Sequence, residues 1–520
     1  QAGLLVVQFR DVPAGTILPA APAGPKDGPA SAAQNPPAAA GAAGPAKAAG
    51  PAPTAAPMTA GTSPPAKSDP EPERPIELQA RSVYAWVARD EEKSTLETLQ
   101  ADGFVRVHQD PAKGDERGTD IVGEALTVDY QPEGYVLTVS CDENEPNQDD
   151  LAQLFMNQIY IVGQRIKVDQ AANTVAVTDG PGAMQMQSKT NFQGEALAKP
   201  VPMTIHWNRD MFFNGRFAEF SDHVQGEQEN AHLACQSLQV FFDHTISLKE
   251  GNHGGPPARV KDLVCHQDVR VEDNAFEDGK LVRYQQISSP SLEMNPIEPD
   301  APGPAAAAPA ASEGNEVRAP GPGELRILQR GGQDPLAPPA PAPGGKVASA
   351  KPAEAKPAEG KPADGKSAAK ADDVMKLTYI RYGDEADAGS MYLNSKIKTA
   401  TFLGKVRVLN LPCEDPHLKI DLDTMLSRLP EGALYLQAQR LRVVDNGDKQ
   451  KSQQEMTAEG SVRVQAKDFW GRSDKMFYNE AKDQIIFVGG ENGLATLYRV
   501  RQQGAEPQKI EGKTITYIRS

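Results

Sequence analysis

The chain has 520 residues, with 70 acidic against 54 basic side chains, a formal net charge of −16 and a pI near 5.1. That balance argues against nucleic acid as the main partner, since phosphate binding wants a basic face and the Lys and Arg are scattered among acids. Pro (44) and Gly (45) are abundant, aromatics are 6% and mean hydropathy is −0.50, so much of the chain cannot bury enough apolar surface to offset the entropy of ordering it.

In chain order, residues 1–75 read as a disordered Pro/Ala-rich linker with polyproline-II character, within which Leu4-Leu-Val-Val-Gln-Phe9 stands out as one strand or the tail of a further element. A first β-module is expected over 76–295. A disordered linker follows over 296–314, then a strand pair belonging to the second module over 315–331, then a disordered Lys/Pro/Ala insertion over 332–373. The insertion carries an alternating-charge repeat from Lys351 to Lys366 and reads as a solvated spacer. The second module runs over 374–520 and stops at Ser520 where another strand is due, so the reading leans to a fragment. These segments leave about 380 residues for globular structure, enough for two domains.

Between the linkers apolar residues fall at every second position. Val462 and Val464 alternate with Ser461 and Arg463; Leu434, Leu436 and Ala438 alternate with Tyr435 and Gln437. Turn residues such as Pro430-Glu-Gly432 and Asp445-Asn-Gly447 separate the runs, and period two with turn punctuation means half-buried strands. The best helical spacing, Asp149–Ile159, is short. The class is all-β.

Three elements recur, the signature of stacked modules. The first is Gly-x-Val-Arg-Val, at Gly103–Val107, Gly404–Val408 and Gly460–Val464, with a degenerate copy at Gln267–Val271. The second is an apolar strand leading through Gly into another alternating strand, at Val175–Met186, Val317–Ile327 and Ile485–Leu497. The third follows it at Met203–Trp207, Leu377–Arg381 and Ile515–Arg519; in the first two copies it leads to the aromatic strands Met211–Asn214 with Phe217–Phe220, and Met391–Asn394 with Ala400–Phe402. Repeated Gly ahead of alternating Val fits a sheet that turns a corner at each rung.

Chemistry-bearing residues are sparse. There is no P-loop, dinucleotide fingerprint, nucleophile elbow or HExxH. His206, beside Trp207, is replaced by Tyr or Ile in the other copies of its strand and reads as a packing residue rather than a catalyst. The acidic run Asp142-Glu-Asn-Glu145 with Asp149-Asp150 lacks EF-hand spacing and reads as a solvated loop. The 4 cysteines include no CxxC pair; Cys235 and Cys265 can fall on neighbouring strands, where an oxidising compartment would favour a bridge, and buried free thiols are the other reading. No run reaches the ~18–20 apolar residues of a membrane helix. The chain begins at Gln1 without Met, so an export signal or anchor is expected to be missing from it. No catalytic residue, metal or cofactor is assigned.

The order and spacing of the modules resemble the OstA-like repeat of the lipopolysaccharide-transport (Lpt) system, found in its periplasmic bridge proteins and in the N-terminal domain of its assembly protein. The closest run is Leu434–Val443, Met456–Val464, Asp474–Asn479 and Ile485–Gly490, with looser matches over 76–295 and 374–520. The resemblance implies an elongated open β-jelly roll, V-shaped in cross-section, in the periplasm or cell envelope. The implied ligand is lipopolysaccharide or a related glycolipid held by its acyl chains, and the implied partners are other Lpt-type envelope proteins joined by strand-edge stacking. By parity, the groove candidates are Val462, Val464, Met476, Tyr478, Ile486 and Val488 in the last module, and Val406, Val408, Leu436 and Ala438 before it. Two rivals stand beside this reading: a structural or adhesive β-repeat protein making only protein contacts, and a carbohydrate-active β-solenoid such as a polysaccharide lyase. The last wants an exposed Lys/Arg/His/Asp cluster that the sequence does not display.

Overall fold

The computed structural model describes residues 4–11, 75–89, 94–111, 118–142, 151–156, 159–190, 192, 196–248, 260–297, 314–330, 374–446, 454–482, 484–491, 493–500 and 506–518. The N-terminal strands are β1 (Leu4–Asp11), β2 (Ile76–Gln79), β3 (Ser82–Arg89), β4 (Ser94–Gln109), β5 (Thr119–Gln131), β6 (Gly134–Ser140), β7 (Ala152–Met156), β8 (Ile159–Gly163), β9 (Arg165–Asp169), β10 (Thr174–Thr178), β11 (Gly182–Thr190), β12 (Ala196–Trp207) and β13 (Asp210–Phe213). The middle holds β14 (Phe217–Gln228), β15 (Ala231–Phe242), β16 (Val260–Glu277), β17 (Lys280–Pro296), β18 (Asn315–Pro320), β19 (Gly323–Arg330), β20 (Met375–Tyr382) and β21 (Ser390–Asn394). Then come β22 (Thr399–Pro412), the short helix α1 (Leu422–Ser427), β23 (Leu434–Asp445), β24 (Gln454–Ala466), β25 (Phe469–Asn479), β26 (Gln484–Val488), β27 (Ala495–Arg499), β28 (Gln508–Gly512) and β29 (Thr514–Ile518).

Long strands alternate with split ones, and this divides the sheet into two leaves. β17, for example, pairs through its second half with β18 and through its first half with β19. One leaf continues β18–β21–β22 and the other β19–β20–β22, and the two merge again in β22. The same splitting occurs between β5 and β14, and again after β25. The ladder is antiparallel apart from β1, which lies parallel to β3. It stays continuous from β17 through β18 and β19 into β22, across the 298–313 gap in the described residues.

Where the sheet passes between leaves, every second long strand carries a bulge. Gly103-Phe104 on β4, Gly404-Lys405 on β22 and Gly460-Ser461 on β24 all have positive φ, and in each case two residues face one on the next strand. A bulge bends a strand and increases its twist, so the Gly of the Gly-x-Val-Arg-Val repeat marks the crease. Gln267-Asp268 forms the degenerate copy on β16. A further copy, Asp222-His223 ahead of Val224 on β14, escaped the sequence comparison because neither the Gly nor the Arg is kept.

The other repeats have equally local causes. Each second-element copy is a strand in one leaf and a strand in the other: β10 and β11, β18 and β19, β26 and β27. The Asn that ends each aromatic strand closes a turn, with Asn214, Asn394 and Asn479 Oδ1 accepting the N–H three residues on, from Phe217, Ile397 and Lys482. The third element needs a correction. Met203–Trp207 and Leu377–Arg381 lie in the leaf of β12 and β20, but Ile515–Ile518 pairs with β26 in the other leaf. The strand equivalent to β12 and β20 is β28, whose exposed, polar pattern hides the match.

Two other expectations are overturned. Ala152–Met156 and Ile159–Gly163 are strands, with Ala152, Leu154 and Met156 buried in alternation and paired to β8, so the helical spacing at 149–159 was coincidental. His206 is exposed; the packing residues on either side of it are Ile205 and Trp207. Residues 143–150 of the acidic run, and the linkers at 12–74, 298–313 and 331–373, lie outside the described residues.

The core lies between the leaves. Directly opposed residues on antiparallel strands share a face, and they form apolar rows. One leaf carries Leu263, Met294, Val317, Leu393, Ala400, Val443 and Met456; the other carries Val271, Ile287, Leu325, Ile380, Val408, Leu436 and Val464. A second cluster lies on the outside of the latter leaf, where Leu422 of α1 covers Tyr284, Leu328, Tyr379, Leu409 and Tyr435. Tyr435 is therefore buried even though it alternates with Leu434 and Leu436. Asp421 caps α1 by accepting from the N–H groups of Asp423 and Thr424.

Candidate functional site

Aromatic pairs bolt the leaves together at intervals. Trp207 of β12 meets Phe220 of β14 with centroids 5.4 Å apart, Tyr382 of β20 meets Phe402 of β22 at 6.0 Å, and Phe469 of β25 meets Tyr517 of β29 at 5.0 Å. Each pair takes one ring from each leaf. Glycines opposite the first two make room for them: Gly182 is the register partner of Trp207, and Gly323 that of Tyr382. A Cβ on Gly182 would come within 2.5 Å of the Trp207 ring, and one on Gly323 within 2.2 Å of the Tyr382 hydroxyl. The recurring Gly-Pro-Gly of the second element thus seats the bolt.

Between the first and second bolts the leaves stand apart. The gap is a cavity of about 80 Å³, lined from one leaf by Leu263, Leu292, Met294, Val317 and Leu393, and from the other by Leu233, Val271 and Ile287. Phe192 covers one end, in space left open by Gly226. Val271, Val317 and Leu393 are only half-buried, so the cleft is reachable from solvent. Branched and linear aliphatic side chains with no ring between them make a wall that apolar chains can wet and water cannot hydrogen-bond.

The polar lining is confined to Asp273, Gln285, Asn315 and Ser395. Asp273 is held by Arg283 at 2.8 Å. The Asn315 N–H donates to Ser395 Oγ at 2.6 Å, while Asn315 Oδ1 has no partner in the protein although the residue is 4% exposed. Among the described residues no group of His, Cys, Asp and Glu is arranged to hold a metal. The arrangement can bind an apolar chain and accept one hydrogen bond.

The residues expected from parity lie elsewhere. Val406, Val408, Leu436, Ala438, Val462, Val464 and Met476 all face inward, but in a filled part of the core beyond the second bolt, and Tyr478 packs half-buried against that core. Ile486 and Val488 face the other way. Register sets Tyr478 opposite Ile485 and Met476 opposite Phe487, so Ile485 (4% exposed) and Phe487 (0%) are the inward pair of β26. The turn between β25 and β26 fixes that register, and parity counted along one strand does not carry across it. The cleft residues were not among the groove candidates, although Val271, Val317 and Leu393 fall within the recurring elements, because, Phe192 at one end aside, they are set apart by having no ring among them.

No family model matches the chain, and no curated protein matches it. Among solved structures it is similar to the crystal structure of LptH, the LptA homologous periplasmic component of the conserved lipopolysaccharide transport device from Pseudomonas aeruginosa. The identity is 12%, the match covers 36% of this chain and 93% of that one, and the TM-score is 0.14.

Proposed function

We propose that this chain is a non-enzymatic envelope protein that holds an acyl chain of lipopolysaccharide or a related glycolipid between its leaves and passes it along the envelope. The observation that supports the reading most is the cleft at Leu233, Leu263, Ile287, Met294, Val317 and Leu393, apolar on both walls and reachable from outside. Each CH₂ moved from water into such a wall contributes ~0.8 kcal/mol, so an acyl segment needs no charged anchor. The same reading gives the sheet ends a role. Among the described residues β28 pairs with β27 and β29 with β26, and the reading expects strand-edge stacking with other Lpt-type envelope proteins. The carbohydrate-active alternative wants an exposed Lys/Arg/His/Asp cluster on one sheet, whereas the described polar lining of the cleft is confined to Asp273, Gln285, Asn315 and Ser395.

Photocrosslinking in cells tests the proposal. A photoreactive side chain at Leu393 or Val317 should capture glycolipid strongly, one at Val464 or Met476 weakly because those positions lie in filled core, and one at Ala355 in the Lys/Pro/Ala insertion not at all. Protein-only adducts at Leu393 and Val317 in a well-expressed chain would put the structural, protein-contact reading in its place.

A further inference from the structure

We propose that Cys235 and Cys265 are joined by a disulfide that fixes the angle between the two leaves beneath the cleft. The two thiols lie on neighbouring antiparallel strands, β15 and β16, and are 4% and 0% exposed. They are free in this structure, and the interaction with Cys235 pushes the Cys265 thiol's pKa up. Both sit in the crease. Gln236, next to Cys235, faces the Asp222-His223 bulge, and Gln267-Asp268, just past Cys265, form the following bulge. Their position also ties them to the cleft. Leu233 and Leu263, each two residues before a cysteine and on the same face, are wall residues from opposite leaves. A covalent link between Cys235 and Cys265 therefore spans the leaves directly under their point of separation.

The chemistry needs an oxidant, which we take to be a protein disulfide of the thiol–disulfide exchange class, as an oxidising envelope compartment supplies. One cysteine thiolate attacks that disulfide, forming a mixed disulfide and releasing one donor thiolate. The second cysteine thiolate then attacks its partner's sulfur, closing the Cys235–Cys265 bond and expelling the donor's other thiolate. Two electrons pass to the donor, and the two protons lost by the cysteines end on its thiols. Once the fold has closed, the interaction with Cys235 and then burial push the Cys265 thiol's pKa up and oppose its ionisation. The exchange therefore belongs to folding, before β15 and β16 are covered.

The full chain, exported to an oxidising compartment, denatured and alkylated without reductant, should block only two of its 4 cysteines, Cys141 and Cys413. All four should become reactive after reduction, and a peptide map should join the Cys235 and Cys265 peptides. Four reactive thiols before reduction, or a link to Cys141 or Cys413, would overturn the proposal. The claim about leaf angle has its own readout, amide hydrogen exchange with and without reductant. Reduction should raise exchange in β15–β18 around the cleft and leave β24–β25 unchanged; equal exchange in both states would refute the control of the cleft even if the bond is present. Neither result depends on whether lipid binds.

Discussion

The middle of the molecule, β14–β21, and its C-terminal part, β22–β29, share one repeat and one kind of crease, yet among the described residues the apolar cleft lies in the middle. The backbone does not separate them, since the bulges at Gln267-Asp268 and Gly460-Ser461 are built alike. Side-chain volume does. In the C-terminal part Phe487 reaches from its own leaf to Gly471 of the other, where a Cβ would come within 3.0 Å of the ring, and the Phe469–Tyr517 bolt stands beside it. In the middle, the facing positions are Leu233, Ile287, Leu263 and Met294, with no ring to bridge the gap. The distance between the leaves is thus set rung by rung by whether an aromatic spans them. A groove that looks continuous in the repeat pattern is divided into a closed compartment and an open one.

The largest expected effect comes from removing a spanning ring. Phe487→Ala should cost about 3–5 kcal/mol in urea unfolding, since it loses the transfer energy of the ring and leaves a void that packed neighbours cannot fill. Val317→Ala, at the half-buried cleft wall, should cost only about 1 kcal/mol, because solvent already reaches it and little new cavity forms. Equal costs would mean that the cleft is ordinary closed core and the contrast is false.

Next in size is the seat of the second bolt. Gly323→Ala puts a Cβ 2.2 Å from the Tyr382 hydroxyl and 2.4 Å from its Cζ, so something must shift. The expected destabilisation is about 1–3 kcal/mol, typical of overpacking. Tyr382→Leu in the same chain should recover part of it, because the smaller side chain vacates the space. A double-mutant cycle measures that coupling; simple additivity would show that Gly323 is needed for its backbone alone.

The all-β class and the strand-by-strand alternation were legible because period two survives in every segment with one dry face. The crease was legible where it uses Gly, at Gly404 and Gly460, and hidden where Asp222 takes the same backbone conformation. Tyr435 shows a different limit: the segment over it contributes α1 and buries the face that alternation had marked as outward. The candidate site was the least legible part. Ile486 and Val488 were misplaced by one register step, and the cleft depends on which leaf Leu263, Val317 and Leu393 face across the gap, which only the pairing of distant strands decides.

The smallest expected effect concerns β22, where the two regions meet. Its bulge residue Lys405 reaches Asp384 at 2.6 Å, and the N–H groups of Ala386 and Asp387 donate to the same carboxylate at 3.0 Å each. The Lys405 contact first, and those backbone bonds after it, bring the Asp384 pKa down from 3.8 to about 2. A carboxyl whose folded pKa is depressed contributes stability that is fully present above its unfolded pKa and is lost as pH falls through the folded one. The contribution is therefore complete above pH 3.8 and disappears between there and about 2. In Lys405→Ala the backbone donors remain, so the carboxyl should titrate between those two values, and the part of the acid loss due to the ion pair should vanish. Following the Asp384 side-chain carbon by NMR through an acid titration measures this directly. An unchanged midpoint in the variant would show that the backbone donors alone hold this corner, and that Lys405 occupies the bulge without securing it.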